Sequence, residues 1–339
     1  MRKKKALITG VSGQDGAYLS NFLLKKNYIV TGGERNKKKR NFWRLKELSI
    51  EKKIKIIHFD LLDKKLIIKT IKNGDYDEIY NLAAQSYVDK SFENPLYTSD
   101  VNALGVIRIL EAIRKYSKKT KFYQASSSEM YGNVNTRIQD ENTSFNPISP
   151  YAIAKLHAHW ILGLYREAYN IFCCSGILFN HDSPLRGDDF VTKKIVRDLF
   201  KVKFNLMPCT YLGNIYAKRD WGYSADYVEA MWKMLQQKKA SDFVISSGMN
   251  YTVKSFVNEA AKNIGFNLKW VGKDFNERGI DTRTKRVIVR IKKEFFRPIE
   301  INSTFGNPAK AKKLLKWTSK TKFKNLVKIM CNAELKKYE

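Results

Sequence analysis

A tyrosine and a lysine stand four residues apart in "SPYAIAKLHAHW", at Tyr151 and Lys155, just behind Pro150. The Ala- and Leu-rich run predicts a helix from there to about Tyr169, and residues four apart on a helix share a face. A phenol ordinarily titrates near 10. A basic role at neutral pH therefore requires a depression of roughly 3 units, about 4 kcal/mol, part of which a neighbouring ammonium supplies. Upstream, "KFYQASSSEMYG" sets Ser127 two residues before Glu129, a spacing that on an extended segment puts both side chains on one side. A hydroxyl, a carboxylate, a phenol and an ammonium then converge. The phenol can take the proton of a secondary alcohol while hydride leaves its carbon, and Ser127 can hydrogen-bond the same oxygen. The carboxylate is the informative addition. Beside a new ketone the adjacent C–H is acidic, so Glu129 can remove that proton and let a hydroxyl leave from the next carbon. If the hydride then returns, oxidation, elimination and reduction sum to a dehydration with no net use of a hydride carrier.

Such groups need a scaffold. The first half alternates short apolar runs with amphipathic ones, among them "KALITG", "AYLSNFLLKK", "YIVTGG", "KIKIIHFDL", "EIYNLAA" and "VIRILEAIRKY". That alternation predicts an α/β fold, a Rossmann-like doubly wound parallel sheet with helices on both faces. The first strand runs straight into "TGVSGQDGAYL", whose Gly10, Gly13 and Gly16 open a helix. Glycines there let backbone approach a pyrophosphate, and the helix N-terminus offers free amides, so the loop reads as a dinucleotide site. Its Gln14 and Asp15 are grouped with the glycines as cofactor contacts. At the end of the second strand Glu34 suits a bare ribose 2′-hydroxyl and Arg35 a 2′-phosphate. The reading favours NADP over NAD. Asp60 in "HFDLLD", with Leu61 beside it, either reaches the adenine or caps the next helix.

Bulk properties narrow the function classes. The 339 residues, 43% hydrophobic, can bury a sizeable core, and no run approaches the roughly 18 apolar residues of a membrane span. "MRKKKALITGVSG" has a basic flank, but Gly10 and Gly13 interrupt its apolar part, so it reads as a strand and not a signal peptide. Cys173, Cys174, Cys209 and Cys331 show neither metal-ligand spacing nor a disulfide framework, which suits a reducing cytoplasm. A formal charge of +30 would suit a nucleic-acid partner, but the lysines are scattered along the whole chain, which reads as solvated faces and a field favouring an anionic small substrate. His157 and His159, two apart on a helix, face differently and make no metal site.

The long stretches "NLAAQSYVDKSFENPLYT", "QASSSEMYG", "SPYAIAKLHAHWI", "GILFNHDSPLRGDDFVTKKI", "YLGNIYAKRDWGYSADYVEAMW" and "FFRPIEINSTFGNPAKAKKLLKW" resemble the GDP-mannose 4,6-dehydratases, within the extended short-chain dehydrogenase/reductases. The resemblance implies tightly held, recycled NADP and a 4-keto-6-deoxy sugar product, with Ser127, Glu129, Tyr151 and Lys155 as the catalytic set. It implies a GDP-sugar held by Ser86, Asn180, Val191, Lys193, Arg219, Arg297 and Glu300. It also implies a homodimer or homotetramer, with neither nucleic acid nor membrane as partner. GDP-manno-heptose as substrate, or a reductase or epimerase of the same family, are the alternatives. Two departures stand out. Arg35 is followed by Asn36 where paired arginines are common, with Lys37, Lys38, Lys39 and Arg40 nearby as substitutes, and Leu185 replaces a usual arginine ahead of Arg186. The expected division is a cofactor domain over 1–180 joined by a returning segment at about 218–250, and a sugar-nucleotide domain from 181–217 and 251–339.

Overall fold

A computed structural model describes residues 2–36, 42–296 and 299–339. Six strands of the first half, β1 (Lys5–Thr9), β2 (Ile29–Glu34), β3 (Lys55–His58), β4 (Glu78–Asn81), β5 (Lys121–Ser127) and β6 (Cys173–Leu178), form one sheet with Phe243–Ile245. All neighbours are parallel. The spatial order places β4 on one side of β1 and β2 on the other, so the connections after them leave in opposite directions. A crevice opens at that switch point, beyond the carboxyl ends of the strands.

Helices cover both faces, which is why β4 and β6 are buried at every residue. On one face α1 (Gln14–Lys25) packs with the helix Ser224–Leu235 around Leu19, Leu23, Met231 and Leu235. On the other, Lys64–Gly74, Gly105–Tyr116 and the Tyr151 helix, Pro150–Tyr169, enclose Ile67, Ile109, Ile113 and Leu162. A second core lies between a four-stranded sheet and the helices Val191–Lys203, Val253–Ile264 and Phe323–Leu335. Three strands of that sheet, Leu268–Val271, Arg278–Asp281 and Val287–Ile291, fall where the sequence shows only a basic stretch.

The second half feeds the first sheet twice. The helix Ser224–Leu235 and the strand Phe243–Ile245 lie in the segment expected to return. Beyond it, Ala311, Leu315 and Trp317 also join the core beneath α1, and the Trp317 indole N–H donates to the Asp226 carbonyl at 2.9 Å. Trp317 is too large to leave in water, and the pocket beside Tyr227 takes it edge-on at 5.6 Å.

At the opposite end of the sheet from the crevice, the buried Glu78 carboxylate accepts from the hydroxyls of Tyr28 at 3.0 Å and Tyr80 at 2.7 Å, from Gln236 at 3.0 Å and from Lys4 at 3.1 Å. Replacing Glu78 with Ala leaves those hydroxyls without an acceptor in a dry site. The expected loss is about 1–3 kcal/mol for each orphaned group, read as a lower midpoint in urea unfolding, and an unchanged midpoint would contradict this account.

Candidate active site

β1 ends into Gly10, which has φ +67 and faces Ala83 so closely that a Cβ would lie 2.9 Å from its backbone nitrogen. A Cβ on Gly16 would lie 2.5 Å from the Gly10 carbonyl oxygen and 2.7 Å from Val11 Cα. Only glycine lets the loop fold this tightly. Gly13 is the N-cap of α1 and brings no side chain to its amides, so the first-turn N–H groups face the crevice. This cradle fits a dinucleotide pyrophosphate.

Gln14 and Asp15 support the loop from below. Gln14 donates to the His181 carbonyl at 3.1 Å and accepts from the Ser183 hydroxyl at 2.6 Å. Asp15 meets His181 Nε2 at 2.7 Å and accepts from the Ser224 hydroxyl at 2.6 Å. Burial pushes the Asp15 carboxyl up, but His181, Ser224 and Arg186 outweigh it and hold it at about 2. His181 moves the other way: burial opposes its charge, and Asp15 raises it above the usual histidine range. Nothing local in "FNHD" marks His181, because its partner lies 166 residues away.

Where β2 ends, the Glu34 carboxylate is only 3% exposed and accepts from the Ser12 hydroxyl. Arg35 is exposed, donating to the Tyr97 hydroxyl with its guanidinium 5.8 Å from that ring. Lys37, Lys38, Lys39 and Arg40 lie outside the described residues. Asp60 does not cap a helix: it accepts from the Leu62 amide at 3.0 Å in its own turn, and Asp63 caps Lys64–Gly74 through Leu66 at 2.9 Å. Leu61 is buried against Gly105.

Ser149 caps the Tyr151 helix by accepting from the Ala152 amide at 3.1 Å, and Pro150 occupies its first turn. Tyr151 and Lys155 are both buried on its inner face. Ser127 closes β5 near Tyr151, whose phenol it draws down. Glu129 arrives differently from the extended-segment expectation. The chain turns into a 3-10 helix at Ser128–Tyr131, and the Ser127 hydroxyl caps that turn by accepting from the Glu129 amide at 3.2 Å. One hydroxyl thus caps the carboxylate-bearing turn and draws the phenol down.

The electrostatics also differ from the expectation. Burial pushes the Tyr151 phenol up, the Ser127 hydrogen bond pulls it down and the Glu129 charge pushes it up again, leaving it at about 12. Lys155 donates to the Ala125 carbonyl at 2.8 Å, and its ammonium lies 5.8 Å from the Tyr151 ring centre. Burial lowers it to about 8. Desolvation therefore acts on both groups more strongly than their mutual attraction.

The residues expected to hold the sugar nucleotide stand as follows. The buried Asn180 Oδ1, just past β6, has no protein partner among the described residues. Lys193 is buried with its ammonium 2.9 Å from Glu334. Arg219 donates to Glu300 at 2.7 Å and to the Ile301 carbonyl at 2.8 Å. The structure thus supplies carboxylates to two cations expected to meet phosphates. Ser86 and Val191 are exposed, and Arg297 lies outside the described residues. Leu185 is buried in the core with α1, its carbonyl accepting from Arg44 at 2.6 Å, while Arg186 pairs with Asp182 at 3.0 Å and covers Phe190.

A family profile described as GDP-mannose 4,6 dehydratase matches residues 7–330. A Vibrio cholerae protein named GDP-mannose 4,6-dehydratase is 45% identical over 351 residues, covering 98% of this chain and 94% of that protein. Among solved structures, a Bacillus anthracis dTDP-glucose 4,6-dehydratase in complex with NAD superposes with a TM-score of 0.81 at 19% identity, over 98% of this chain and 97% of that one. A Pseudomonas aeruginosa protein called RMD, complexed with NADPH, superposes with a TM-score of 0.78 at 18% identity, over 98% and 99%.

Because the Ser127 hydroxyl pulls the phenol down, Ser127→Ala should move the limb of activity that requires phenolate to higher pH. At neutral pH, kcat/KM should fall about tenfold for each unit of that move. A pH–rate profile checks this, and a loss of activity with no displacement of the limb would contradict it.

Proposed function

Since this chain belongs to the GDP-mannose 4,6-dehydratase family, we propose that it removes one water from GDP-mannose to give GDP-4-keto-6-deoxymannose. The observation that carries the reading is the single Ser127 hydroxyl that caps the Glu129 turn and draws down the Tyr151 phenol. A plain alcohol dehydrogenase has no use for the carboxylate. A nicotinamide dinucleotide in the glycine cradle supplies the hydride acceptor and later returns the same hydride, so none is consumed. Tyr151 takes the proton of the 4-hydroxyl while Ser127 donates to that oxygen. With carbon 4 oxidised, Glu129 removes the proton of carbon 5. The carbon 6 hydroxyl then departs with that proton as water, leaving a double bond between carbons 5 and 6. Carbon 6 accepts the hydride, and carbon 5 regains a proton, the one Tyr151 took from the 4-hydroxyl, so the net change is the loss of one water. Lys155, held by the Ala125 carbonyl, orients the face of the helix that carries the phenol.

The finer assignments belong to the same reading. Asn180, Lys193, Arg219 and Glu300, with Ser86, Val191 and Arg297, hold the GDP-sugar. NADP is the cofactor: the Glu34 carboxylate is turned inward to Ser12, while the Arg35 guanidinium stays at the surface for a 2′-phosphate. The protein is a homodimer or homotetramer. Ile153, Trp160 and Leu164 line one exposed face of the Tyr151 helix, with Trp160 63% exposed, and Leu96 in the adjoining short helix Pro95–Ser99 is 87% exposed, an apolar surface that a second copy would cover. Four buried free thiols suit a reducing cytoplasm, and no helix among the described residues is long and apolar enough to cross a membrane.

Mass spectrometry of purified protein incubated with GDP-mannose alone should show a product one water lighter. No product even after NADP is added, with turnover of a GDP-heptose instead, would transfer the reading to that sugar. Glu129→Gln should lower dehydration by roughly 10²–10⁴-fold while cofactor binding is retained. Arg35→Ala should weaken NADP by roughly ten- to a hundredfold and leave NAD unchanged, measured by fluorescence titration. Equal losses for both cofactors would contradict the role given to Arg35.

A further inference from the structure

Asp220 follows Arg219 directly, is fully buried, and takes no part in the chemistry above. Its carboxylate accepts four hydrogen bonds from two separate segments. One oxygen receives the Ser247 amide at 2.8 Å and the Ser247 hydroxyl at 2.6 Å, and the other receives the Gly248 amide at 3.1 Å and the Gly306 amide at 3.4 Å. Burial pushes this carboxyl up to about 6 even though all four bonds favour its charge. A carboxylate kept in so dry a place in spite of that cost has a job to do there.

Its position shows what the job is. The short strand Lys218–Arg219 is flanked on both sides. On one side it pairs antiparallel with Tyr251–Thr252, which follows the turn at Ser247 and Gly248, where φ is +74. On the other, Lys218 donates to the Asn302 carbonyl at 2.9 Å and Thr304 donates back to Lys218 at 3.1 Å. Asp220 holds the start of the first flank through Ser247 and Gly248 and the end of the second through Gly306. Arg219 then reaches across the second flank to Glu300 and Ile301. Whether the guanidinium points at the crevice depends on the register of all three segments.

We propose that Asp220 is a positioning residue for Arg219, its carboxylate fixing the Arg219 strand between its two flanks in the register that presents the guanidinium, with Glu300, to the nucleotide half of the substrate. The proposal rests on the reading of Arg219 as a sugar-nucleotide contact. Asp220→Asn keeps one acceptor for Ser247 and turns an amide toward the Gly248 and Gly306 N–H groups, so it disturbs the register with almost no change in volume.

A double-mutant cycle on the full-length, cofactor-loaded protein tests this, using Arg219→Ala, Asp220→Asn and the pair, with GDP-mannose as substrate. Asp220→Asn should raise KM about tenfold or more with kcat changed less than about threefold, and should add less than about twofold to KM in the Arg219→Ala background. Thermal unfolding and retained cofactor absorbance confirm a folded holoenzyme. If Arg219→Ala raises KM and Asp220→Asn does not, or if the two effects multiply, the positioning role is overturned while the substrate reading stands. If Arg219→Ala itself leaves KM unchanged, the substrate reading of Arg219 falls, and the role of Asp220 with it. Should Asp220→Asn fail to fold, Ser247→Ala removes one donor from the same carboxylate. A KM rise that vanishes in the Arg219→Ala background supports the proposal, and one that persists there overturns it.

Discussion

One carboxylate joins the parts of this molecule. Asp15 sits in the first turn of α1, and its two oxygens are taken by His181, beyond β6, and by Ser224, at the start of the helix that returns to the sheet. The glycine loop, the lip of the crevice and the returning segment therefore share a single anchor. Asp15 raises His181 above its usual range, and the other imidazole nitrogen lies 2.7 Å from the Phe179 carbonyl. The ring of Tyr227 stacks on the imidazole at 4.7 Å and excludes solvent from one side. Loss of the Asp15 carboxylate would leave His181 and Ser224 without their shared acceptor, so the glycine loop, the segment beyond β6 and the returning helix are held or released together.

Much of this was legible in the sequence where the deciding forces are local. The glycine loop follows from backbone sterics, the Tyr151 helix from its Ser149 cap, Pro150 and alanine-rich turns, and the parallel sheet from apolar runs that alternate with amphipathic ones. What escaped depends on partners far along the chain. Glu129 reaches its place through a turn capped by Ser127, whereas alternation along a strand was expected. Asp60 yielded the helix cap to Asp63, since a cap is chosen by where the helix begins and not by residue type alone. The strands from Leu268 to Ile291 carry so many exposed lysines and arginines that only their buried faces, against Phe256 and Leu326, show them to be strands.

Desolvation, more than pairing, sets the charges at the reacting centre. Tyr151 and Lys155 shift in opposite directions because burial penalises the charged form of each. The helix that brings them together also removes them from water, and Ser127 is the largest influence drawing the phenol back. A group poised by opposing influences responds strongly to any new charge placed beside it.

The ion pairs Lys193–Glu334 and Arg219–Glu300 bear on how the protein behaves in a crowded mixture of small anions. A cation already matched to a carboxylate gives little attraction to a stray phosphate, because any newcomer must displace or share a partner held at 2.9 Å or 2.7 Å. Only a ligand that meets both pairs at once, and also offers a donor to the orphaned Asn180 oxygen, recovers what it disrupts. On the reading proposed above, these groups select against inorganic phosphate and unrelated nucleotides by the number of simultaneous contacts a ligand makes and not by its charge.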